Sequence, residues 1–314
     1  MQEKVWAEFA QKHKLPTSAS KVKRLVRSGI PPRCRAWVWP IISGSVELKA
    51  EKGGPNYYPN LLKASSMSKF AEQVELDLPR SFPGHPYLAA PEGQAAMRRI
   101  LLAFSIHNPV VGYCQGLNYI AGLVLLAVNK DQEATFWILV ALVERICFAG
   151  TFNQNLSGCH VEMRTLQLLV DEKLPRLGAH MRKLQCDTSL LATDWFLTLY
   201  TGCMPAESAC RVLDAVLSEG AKVIFRVAVA LMKSAEAALL QVNNAGDFMR
   251  VVKDWVANLY DIDGLMAVAF DGIGPLPMER LEAIRAEKAA EVREFMERRK
   301  LQQQQRQRQQ QEKT

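Results

Sequence analysis

Two polar side chains of this sequence occupy places from which they could contact an anion. Arg80 closes the segment Val74-Glu75-Leu76-Asp77-Leu78-Pro79-Arg80, directly before a stretch rich in Pro and Gly. Gln115 stands between two glycines in Gly112-Tyr113-Cys114-Gln115-Gly116-Leu117-Asn118. A guanidinium binds phosphate and carboxylate groups strongly, and a side-chain amide can donate and accept hydrogen bonds at once.

The spacing around Arg80 predicts that an acid holds it in place. Asp77 lies one helical turn earlier, so its carboxylate can brace a guanidinium that projects outward. The stretch that follows, Ser81-Phe82-Pro83-Gly84-His85-Pro86, predicts a loop. A further pair, Arg35 and Trp39, is spaced four apart, which places both on one helical face where they can stack.

Gln115 precedes the most apolar helix of the chain, which we predict from about Leu117 to Val128. The N-terminus of a helix offers free N–H groups and the positive end of its dipole, and both favour a phosphate nearby. We therefore expect Gln115 to stand where an anion is stabilised.

Each of these features also has a purely structural interpretation, which these residues alone leave open. Arg80 could form a surface ion pair, and Gln115 could cap backbone groups of its own loop. Trp39 and Tyr113 could be core aromatics.

The elements that must position these side chains are predicted to be helices. Apolar residues recur at helical spacing along most of the chain, for example at Met97, Ile100, Leu101 and Phe104, and sustained alternation of period two is absent. The run Gly29-Ile30-Pro31-Pro32 ends one helix and begins the next. The predicted fold class is all-α.

Several functions lack their sequence signals here. Neither G-x-x-x-x-G-K-[ST] nor a G-x-G-x-x-G that follows a strand occurs, so we expect no nucleotide or cofactor site on this chain itself. The seven cysteines stand singly without a C-x-x-C pair and the five histidines lack metal-binding spacing, so we assign no metal. Cys114 has no orienting partner that would activate it, and we interpret it as a small buried thiol.

Two observations bear on location. The most apolar stretch, around Ile120 to Val128, is far shorter than the roughly 20 residues of a membrane span. The N-terminal residues Met1-Gln2-Glu3-Lys4 lack the apolar segment of a signal peptide. We therefore expect a cytoplasmic protein.

The net charge of +7 is concentrated at the N-terminal end. Residues 1–52 contain eleven Lys and Arg against four Glu, an excess equal to the net charge of the whole chain. The interpretation we favour is a solvated helix face, and the alternative is a weak peripheral contact of this basic N-terminal region with an acidic membrane. We expect no nucleic acid as a partner, since denser basic clusters with interleaved aromatics would be needed.

Taken together, the motifs resemble a known family. The ordered set Arg35-x-x-x-Trp39, Val74-x-x-Asp77-x-x-Arg80 and Tyr113-x-Gln115 is similar to the three signature motifs of the TBC-domain Rab GTPase-activating proteins, R-x-x-x-W, I-x-x-D-x-x-R and Y-x-Q. The likeness covers roughly Trp6 to Asp271. Val74 in place of Ile and Ser81 in place of the usual Thr are conservative departures.

The resemblance implies a fold of two packed helical lobes with about 14 to 17 helices and no sheet. We place the domain at residues 1–275, with an N-terminal lobe of about 1–150 that carries both Arg80 and Gln115 and a C-terminal lobe of about 159–275. Residues 276–301 are predicted to form a long charged helix, and the Gln/Arg-rich tail, 302–314, is predicted to be disordered.

The resemblance also implies a function and roles for the residues. The chain would accelerate GTP hydrolysis on a GTP-bound Rab-family partner in vesicle trafficking, and recruitment to endomembranes would follow from that partner. Arg80 and Gln115 would be catalytic fingers supplied in trans, while GTP and Mg²⁺ would be bound by the partner. Asp77 would orient Arg80. The remaining motif residues, which would hold the scaffold, are Tyr113, Arg35, Trp39 and Asn118.

The residues leave one alternative of a different class. The same helical fold could bind a Rab or a membrane as an adaptor without catalysing hydrolysis. The presence of both Arg80 and Gln115 favours the activating function over this alternative.

Overall fold

The computed structural model describes residues 2–311, and its secondary structure is helical throughout. Seventeen α-helices occur among these residues. None of the described residues belongs to a β-strand. The first nine are α1 Gln2–Lys12, α2 Ala19–Ser28, α3 Pro32–Ile42, α4 Ser45–Lys52, α5 Tyr57–Ala64, α6 Ala71–Ser81, α7 Pro91–His107, α8 Leu117–Ala127 and α9 Gln132–Ala141. The other eight are α10 Ser157–Lys173, α11 Pro175–Lys183, α12 Thr188–Thr198, α13 Ala206–Glu219, α14 Lys222–Leu239, α15 Ala245–Ala257, α16 Ile262–Ala267 and α17 Met278–Gln311. The all-α prediction is confirmed, and the number of helices lies at the upper end of the predicted range.

Helix starts follow local chemistry that is visible in the sequence. Three helices, α3, α7 and α11, begin with a proline, whose fixed φ and missing N–H suit the first helical position. Others begin after a side-chain cap, such as Asp131 before α9, Asp187 before α12 and Asn244 before α15. These caps satisfy backbone N–H groups that the helix itself leaves without a partner.

The core is continuous across the chain. In the first half it contains α7, α8 and α9, with Phe104, Phe136 and Trp137 fully or almost fully buried. In the second half, α13 and α14 are extensively buried, with Phe225 of α14 fully buried. Helices α2 and α3 pack on α13, so the beginning of the chain is fixed to the second half.

A turn segment precedes α10. Residues 147–156, between a π-helical turn at Leu142–Ile146 and α10, contain no helix. Gly158 of α10 packs directly against the backbone of Gly150 and Thr151, where an added Cβ would lie 2.3 Å from backbone atoms. The segment is therefore held tightly against the helix that follows it.

The C-terminal helix differs from its prediction in two ways. It starts at Met278, and its first half packs along α10 with Leu281, Ile284 and Val292 buried, so it forms part of the core. The helix also continues through the predicted disordered tail as far as Gln311, and residues 312–314 lie outside the described part of the chain. The physical reason is that Gln, Arg, Glu and Lys all have good helix propensity, so an α-helix can continue where no apolar face remains.

Other global features concern the described residues alone. No helix among them is long and apolar enough to cross a bilayer, and they contain no cluster of three or more side chains suited to hold a metal ion. All seven cysteines are free thiols.

Candidate functional site

Arg80 lies in the last turn of α6, beside the loop that leads to α7. Its side chain is 59% exposed, and its Nε donates to Asp77 Oδ1 at 3.0 Å while Nη2 bonds the same oxygen. The hydrogen bond that Arg80 donates to Asp77, and then the charge of that carboxylate, raise the pKa of Arg80, so the guanidinium is charged at every accessible pH. As the spacing predicted, Asp77 braces the Arg80 side chain, which projects outward.

Asp77 is itself a shared acceptor. The residue is only 1% exposed, and Tyr113 Oη donates to its second oxygen, Oδ2, at 2.7 Å. Gln73 Nε2 approaches both carboxylate oxygens at 3.4 and 3.5 Å. A buried carboxylate needs such donors, and the one from Tyr113 ties α6 to the loop that carries Gln115.

Two glycines shape that loop. Gly112 has φ of +62° and Gly116 has φ of +119°, both in the region that disfavours L side chains. A Cβ at 112 would lie 2.0 Å from the Phe70 ring, and one at 116 would lie 2.4 Å from the carbonyl oxygen of Leu197. The loop therefore needs glycine at both places, and it is packed against α12 at Gly116.

Gln115 projects from between these fixed points. The residue is exposed, and no hydrogen bond to its side-chain amide is found within the described residues. Gln115 therefore does not cap backbone groups of its own loop within the described residues. The amide is free to contact another molecule.

Asn118 links the Gln115 loop to α6 by a second route. This buried side chain donates from Nδ2 to Ser81 Oγ at 2.7 Å and accepts from the Gly116 N–H at 2.9 Å. Ser81 Oγ in turn donates to the Asp77 carbonyl oxygen at 2.6 Å. The two exposed side chains, Arg80 and Gln115, thus stand at opposite ends of one hydrogen-bonded unit.

The N-terminus of α8 differs from the expected phosphate-binding end. The N–H groups of Gly116, Leu117, Tyr119 and Ile120 all have acceptors within the loop and first turn. The helix dipole still points its positive end at the Gln115 loop, but these four donors are already used. Binding of an anion there would depend on side chains more than on free backbone donors.

The pair Arg35 and Trp39 lies on one face of α3, as predicted, and is buried. The Arg35 guanidinium is 5.9 Å from the Trp39 ring centroid and donates from Nε to Asp214 Oδ1 at 3.1 Å. Trp39 Nε1 donates to the same oxygen at 2.7 Å, and Arg35 also forms two hydrogen bonds with Glu207. This motif therefore joins the first half of the chain to α13.

An open cleft of about 670 Å³ lies beside Gln115. One wall contains the segment from Tyr113 to Gly116 together with Gln73, and the other contains residues of α12, including Asp194, and Asn153 and Gln154 of the turn segment. Cys114 also lines the cleft, and burial raises its pKa to about 11, so it is a thiol at neutral pH. Cys114 is half-buried, so the expectation of a buried thiol is met only in part.

Sequence reasoning named Arg80, Gln115, Asp77, Tyr113 and Asn118, and the structure brings all five together. It places Arg35 and Trp39 elsewhere, at the contact between α3 and α13. The sequence did not indicate the roles of four other residues: the Ser81 hydroxyl between Asp77 and Asn118, Leu197 against Gly116, and Asp214 and Glu207 as acceptors for Arg35. Ser81 alone carried a signal, as a hydroxyl directly after Arg80.

Comparison with known proteins places this arrangement among related chains. Residues 32–240 match the family described as the Rab-GTPase-TBC domain. TBC1 domain family member 2A of Mus musculus is 38% identical over 276 residues, which are 86% of this chain and 29% of the relative. TBC1 domain family member 2B of Xenopus tropicalis is 34% identical over 279 residues, or 87% of this chain and 29% of the relative. The chain thus spans less than a third of the length of these curated relatives.

Solved structures are similar as well. The TBC domain of the Chlamydomonas flagellar RabGAP has 41% sequence identity and a TM-score of 0.81, with 86% of this chain and 90% of that chain covered. The Ypt/Rab-GAP domain of Gyp1p has 20% identity and a TM-score of 0.71, with 86% of this chain and 98% of that chain covered. At that lower identity the likeness shows the fold alone.

Proposed function

Since this chain belongs to the Rab-GTPase-TBC domain family, we propose that it activates GTP hydrolysis on a Rab-family small GTPase in its GTP-bound state. In this proposal GTP and Mg²⁺ are bound by the partner, and the chain contributes side chains in trans without a cofactor of its own. The role in the cell would be control of vesicle trafficking at the endomembranes where the partner resides.

Hydrolysis of GTP passes through a loose transition state whose negative charge spreads over the transferred phosphoryl group and the leaving oxygen. Two tasks therefore remain for an activating protein: neutralising this charge and holding the attacking water in line. Each task suits one of the two exposed side chains described above.

Arg80 is proposed to neutralise the charge. Its guanidinium is exposed and braced by Asp77 through Nε and Nη2, so the Nη1 edge remains available for phosphate oxygens. A planar fork can bridge a carboxylate and a phosphate at once. An Arg supplied in trans to Ras-type GTPases raises the rate by roughly 10³- to 10⁵-fold.

Gln115 is proposed to position the water. Its amide can accept a hydrogen bond from the water and donate one to a phosphate oxygen. The flanking glycines and the Asn118 hydrogen bonds fix the backbone from which the side chain projects. Tyr113, Asp77 and Asn118 would act by holding these two side chains, and Arg35 and Trp39 by joining the halves of the scaffold.

The single observation that carries the proposal is the joined arrangement of Arg80 and Gln115. Both side chains are exposed, yet the backbone that presents them is connected through buried groups: Asp77 to Tyr113, and Ser81 to Asn118. A surface ion pair or a loop residue without a function would not need this connection. A preorganised pair of exposed polar groups is typical of a site that meets its substrate on another molecule.

The test is single-turnover GTP hydrolysis by a panel of purified GTP-loaded Rabs with the wild-type chain and its Arg80→Ala and Gln115→Ala variants. We expect the wild type to accelerate at least one Rab and each variant to lose about 100-fold or more of that acceleration. The matched control for Arg80 is Arg250→Ala, because Arg250 is also exposed and also paired with an Asp three residues earlier.

Two results would contradict the proposal. Binding of a Rab without acceleration would favour the adaptor function, in which the same fold holds a GTPase or a membrane without catalysis. Acceleration that survives both substitutions would show that other side chains act on the nucleotide. For Gln115→Ala, equal losses in binding and turnover would make it a contact residue, since a positioning group should lower turnover more than affinity.

Weak contact with an acidic membrane is a second proposal, supported by one surface. Five exposed cations of α1, α2 and the turn between them form no ion pair within the described residues: Lys12, Lys14, Lys21, Lys23 and Arg24. Arg27, in contrast, is bound by both oxygens of Glu219. Each exposed cation near an anionic surface contributes roughly 1 kcal/mol.

Vesicle sedimentation tests this contact. The chain should pellet with phosphatidylcholine vesicles that contain phosphatidylserine at low salt, and less so at high salt or after Lys21→Glu with Lys23→Glu. Equal pelleting of the double variant would assign the contact to another surface. No pelleting at low salt would leave this face as a solvated helix surface.

A further inference from the structure

The cleft beside Gln115 has an uneven distribution of charge. Its lining includes one carboxylate, that of Asp194, and no Lys or Arg. Most of its other polar lining consists of neutral amides, those of Gln73, Gln115, Asn153 and Gln154. Arg80 stands outside the lining, reached through Asp77 and Tyr113.

Asp194 differs from the buried acids described above. Its residue is exposed, and its carboxylate has neither an ion pair nor a hydrogen bond among the described residues. Asp77 and Asp214, in contrast, are buried and receive several donors each. The Asp194 backbone is held in α12, where its carbonyl oxygen accepts from Thr198 Oγ1 at 2.7 Å. A fixed backbone with an unpaired carboxylate suits a group that meets an external cation.

The position of Asp194 relative to Gln115 follows from the close contact at the base of the cleft. Gly116 packs against the carbonyl oxygen of Leu197, and Leu197 lies three residues after Asp194 on the same helix. Residues three apart on a helix share a face, so Asp194 is on the face of α12 that the Gln115 loop touches. A partner surface that enters this cleft to reach Gln115 therefore also meets the wall that carries Asp194.

We infer that Asp194 is a specificity-determining residue that pairs with a Lys or Arg on the surface of the GTPase whose nucleotide Arg80 and Gln115 engage. This inference rests on the proposed function. The partner would meet a cation, Arg80, at its nucleotide and an anion, Asp194, across the cleft, and the two charges together fix its orientation. A GTPase with an acid at the matching place would be repelled, which is how such a charge selects among related partners.

The experiment uses the Rab that the wild-type chain accelerates most in the panel. Initial rates of GTP hydrolysis give kcat and KM for wild type, Asp194→Asn and Asp194→Lys, at 50 mM and 300 mM added salt. Asp254→Lys is the matched control, since Asp254 is an exposed acid on α15 away from the cleft lining. Thermal unfolding midpoints of all variants confirm that each is folded.

We expect KM to rise about threefold for Asp194→Asn and about tenfold for Asp194→Lys, with kcat within twofold of wild type. Raising the salt should increase KM for wild type and change it less for Asp194→Asn, because the removed charge no longer contributes. Asp254→Lys should behave as wild type.

Three outcomes would overturn the inference. KM of both Asp194 variants within twofold of wild type would show that no cation meets Asp194. A loss confined to kcat would show that the residue acts on the site and not on docking. A wild-type chain that accelerates no Rab would remove the proposed function and this inference with it, whereas the first two outcomes leave the proposed function standing.

Discussion

Among single side chains, Asp77 connects most of the site. It receives hydrogen bonds from Arg80 and Tyr113 while its own backbone carbonyl accepts from Ser81. Sequence spacing predicted the Asp77–Arg80 contact because the two residues lie one turn apart. The contact with Tyr113 spans 36 residues, and no local pattern encodes a contact at that separation.

Arg80→Lys should abolish most of the activity although the charge is retained. A lysine has one nitrogen, which cannot bond Asp77 and still present a planar edge to phosphate oxygens. We expect kcat for the stimulated GTPase to fall about 100-fold, with the unfolding midpoint unchanged because the side chain is largely exposed. A lysine variant with near-normal kcat would remove the proposed role of Arg80.

Ser81 gives a second prediction. Ser81→Ala removes the oxygen that accepts from Asn118 Nδ2, so the connection between Arg80 and the Gln115 loop loses one of its two routes. We expect kcat to fall about tenfold with KM nearly unchanged, as for a positioning residue. Ser81→Thr keeps the hydroxyl and should retain activity, and equal losses in the two variants would attribute the effect to packing.

Whole helices add contacts that single residues do not reveal, and α17 is the main example. Leu281, Ile284 and Val292 recur at helical spacing and are buried as one face of this helix. The partner of that face was not visible in the sequence. Arg285 reaches α10 and forms a buried bidentate pair with Glu162, with distances of 2.8 and 2.5 Å.

Arg285→Ala should destabilise the fold strongly. The substitution leaves the Glu162 carboxylate, which is 1% exposed, without its counter-charge, and breaking a buried pair in this way costs about 3–5 kcal/mol. Urea denaturation measures the loss. The double variant Glu162→Leu with Arg285→Met should recover most of it, since apolar residues of similar volume can replace a buried pair. A single variant as stable as wild type would show that α17 is not held by this pair.

For the fold and for the site, the sequence predicted features that depend on neighbouring residues and missed contacts between residues far apart in the chain. Apolar periodicity predicted the fold class, and Pro and Gly residues predicted the loop that follows Arg80, because each signal depends on neighbours within a few residues. Asp214 lies 179 residues from Arg35, and Asp194 stands on a different wall of the cleft from Gln115. A single sequence does not indicate which distant residues lie close together in the fold, so the cleft could not be predicted from it.

Over the molecule as a whole, stability should depend on pH through His107. Burial lowers the pKa of this imidazole below 6.5, against the opposing attraction of Glu144, and the ring bonds Tyr57 Oη through Nδ1 at 2.6 Å. The unfolded chain takes up the proton as pH falls through 6.5, while the folded chain takes it up only at lower pH. The folded state is therefore stabilised above pH 6.5 and loses that contribution below it.

The measurement is urea denaturation at pH 7.5 and pH 5.5 for wild type and His107→Gln, which does not titrate. Wild type should lose more stability than the variant on acidification, by at most about 1.4 kcal/mol per pH unit. Groups that titrate equally in the two proteins contribute equally to both losses, so the difference between the losses reports His107. Equal losses in the two proteins would mean that His107 binds its proton in the folded state as readily as in the unfolded one.

The close contact of Gly116 with Leu197 also bears on how this protein could diverge over evolutionary time. The loop that presents Gln115 and the helix that carries Asp194 meet at a place where even one added methyl group would overlap a backbone oxygen. A change of spacing between the two walls would need coordinated substitutions on both. Acceptance of a new partner is therefore open to stepwise change only at the rim, one exposed side chain at a time, while the contact between Gly116 and Leu197 resists single substitutions.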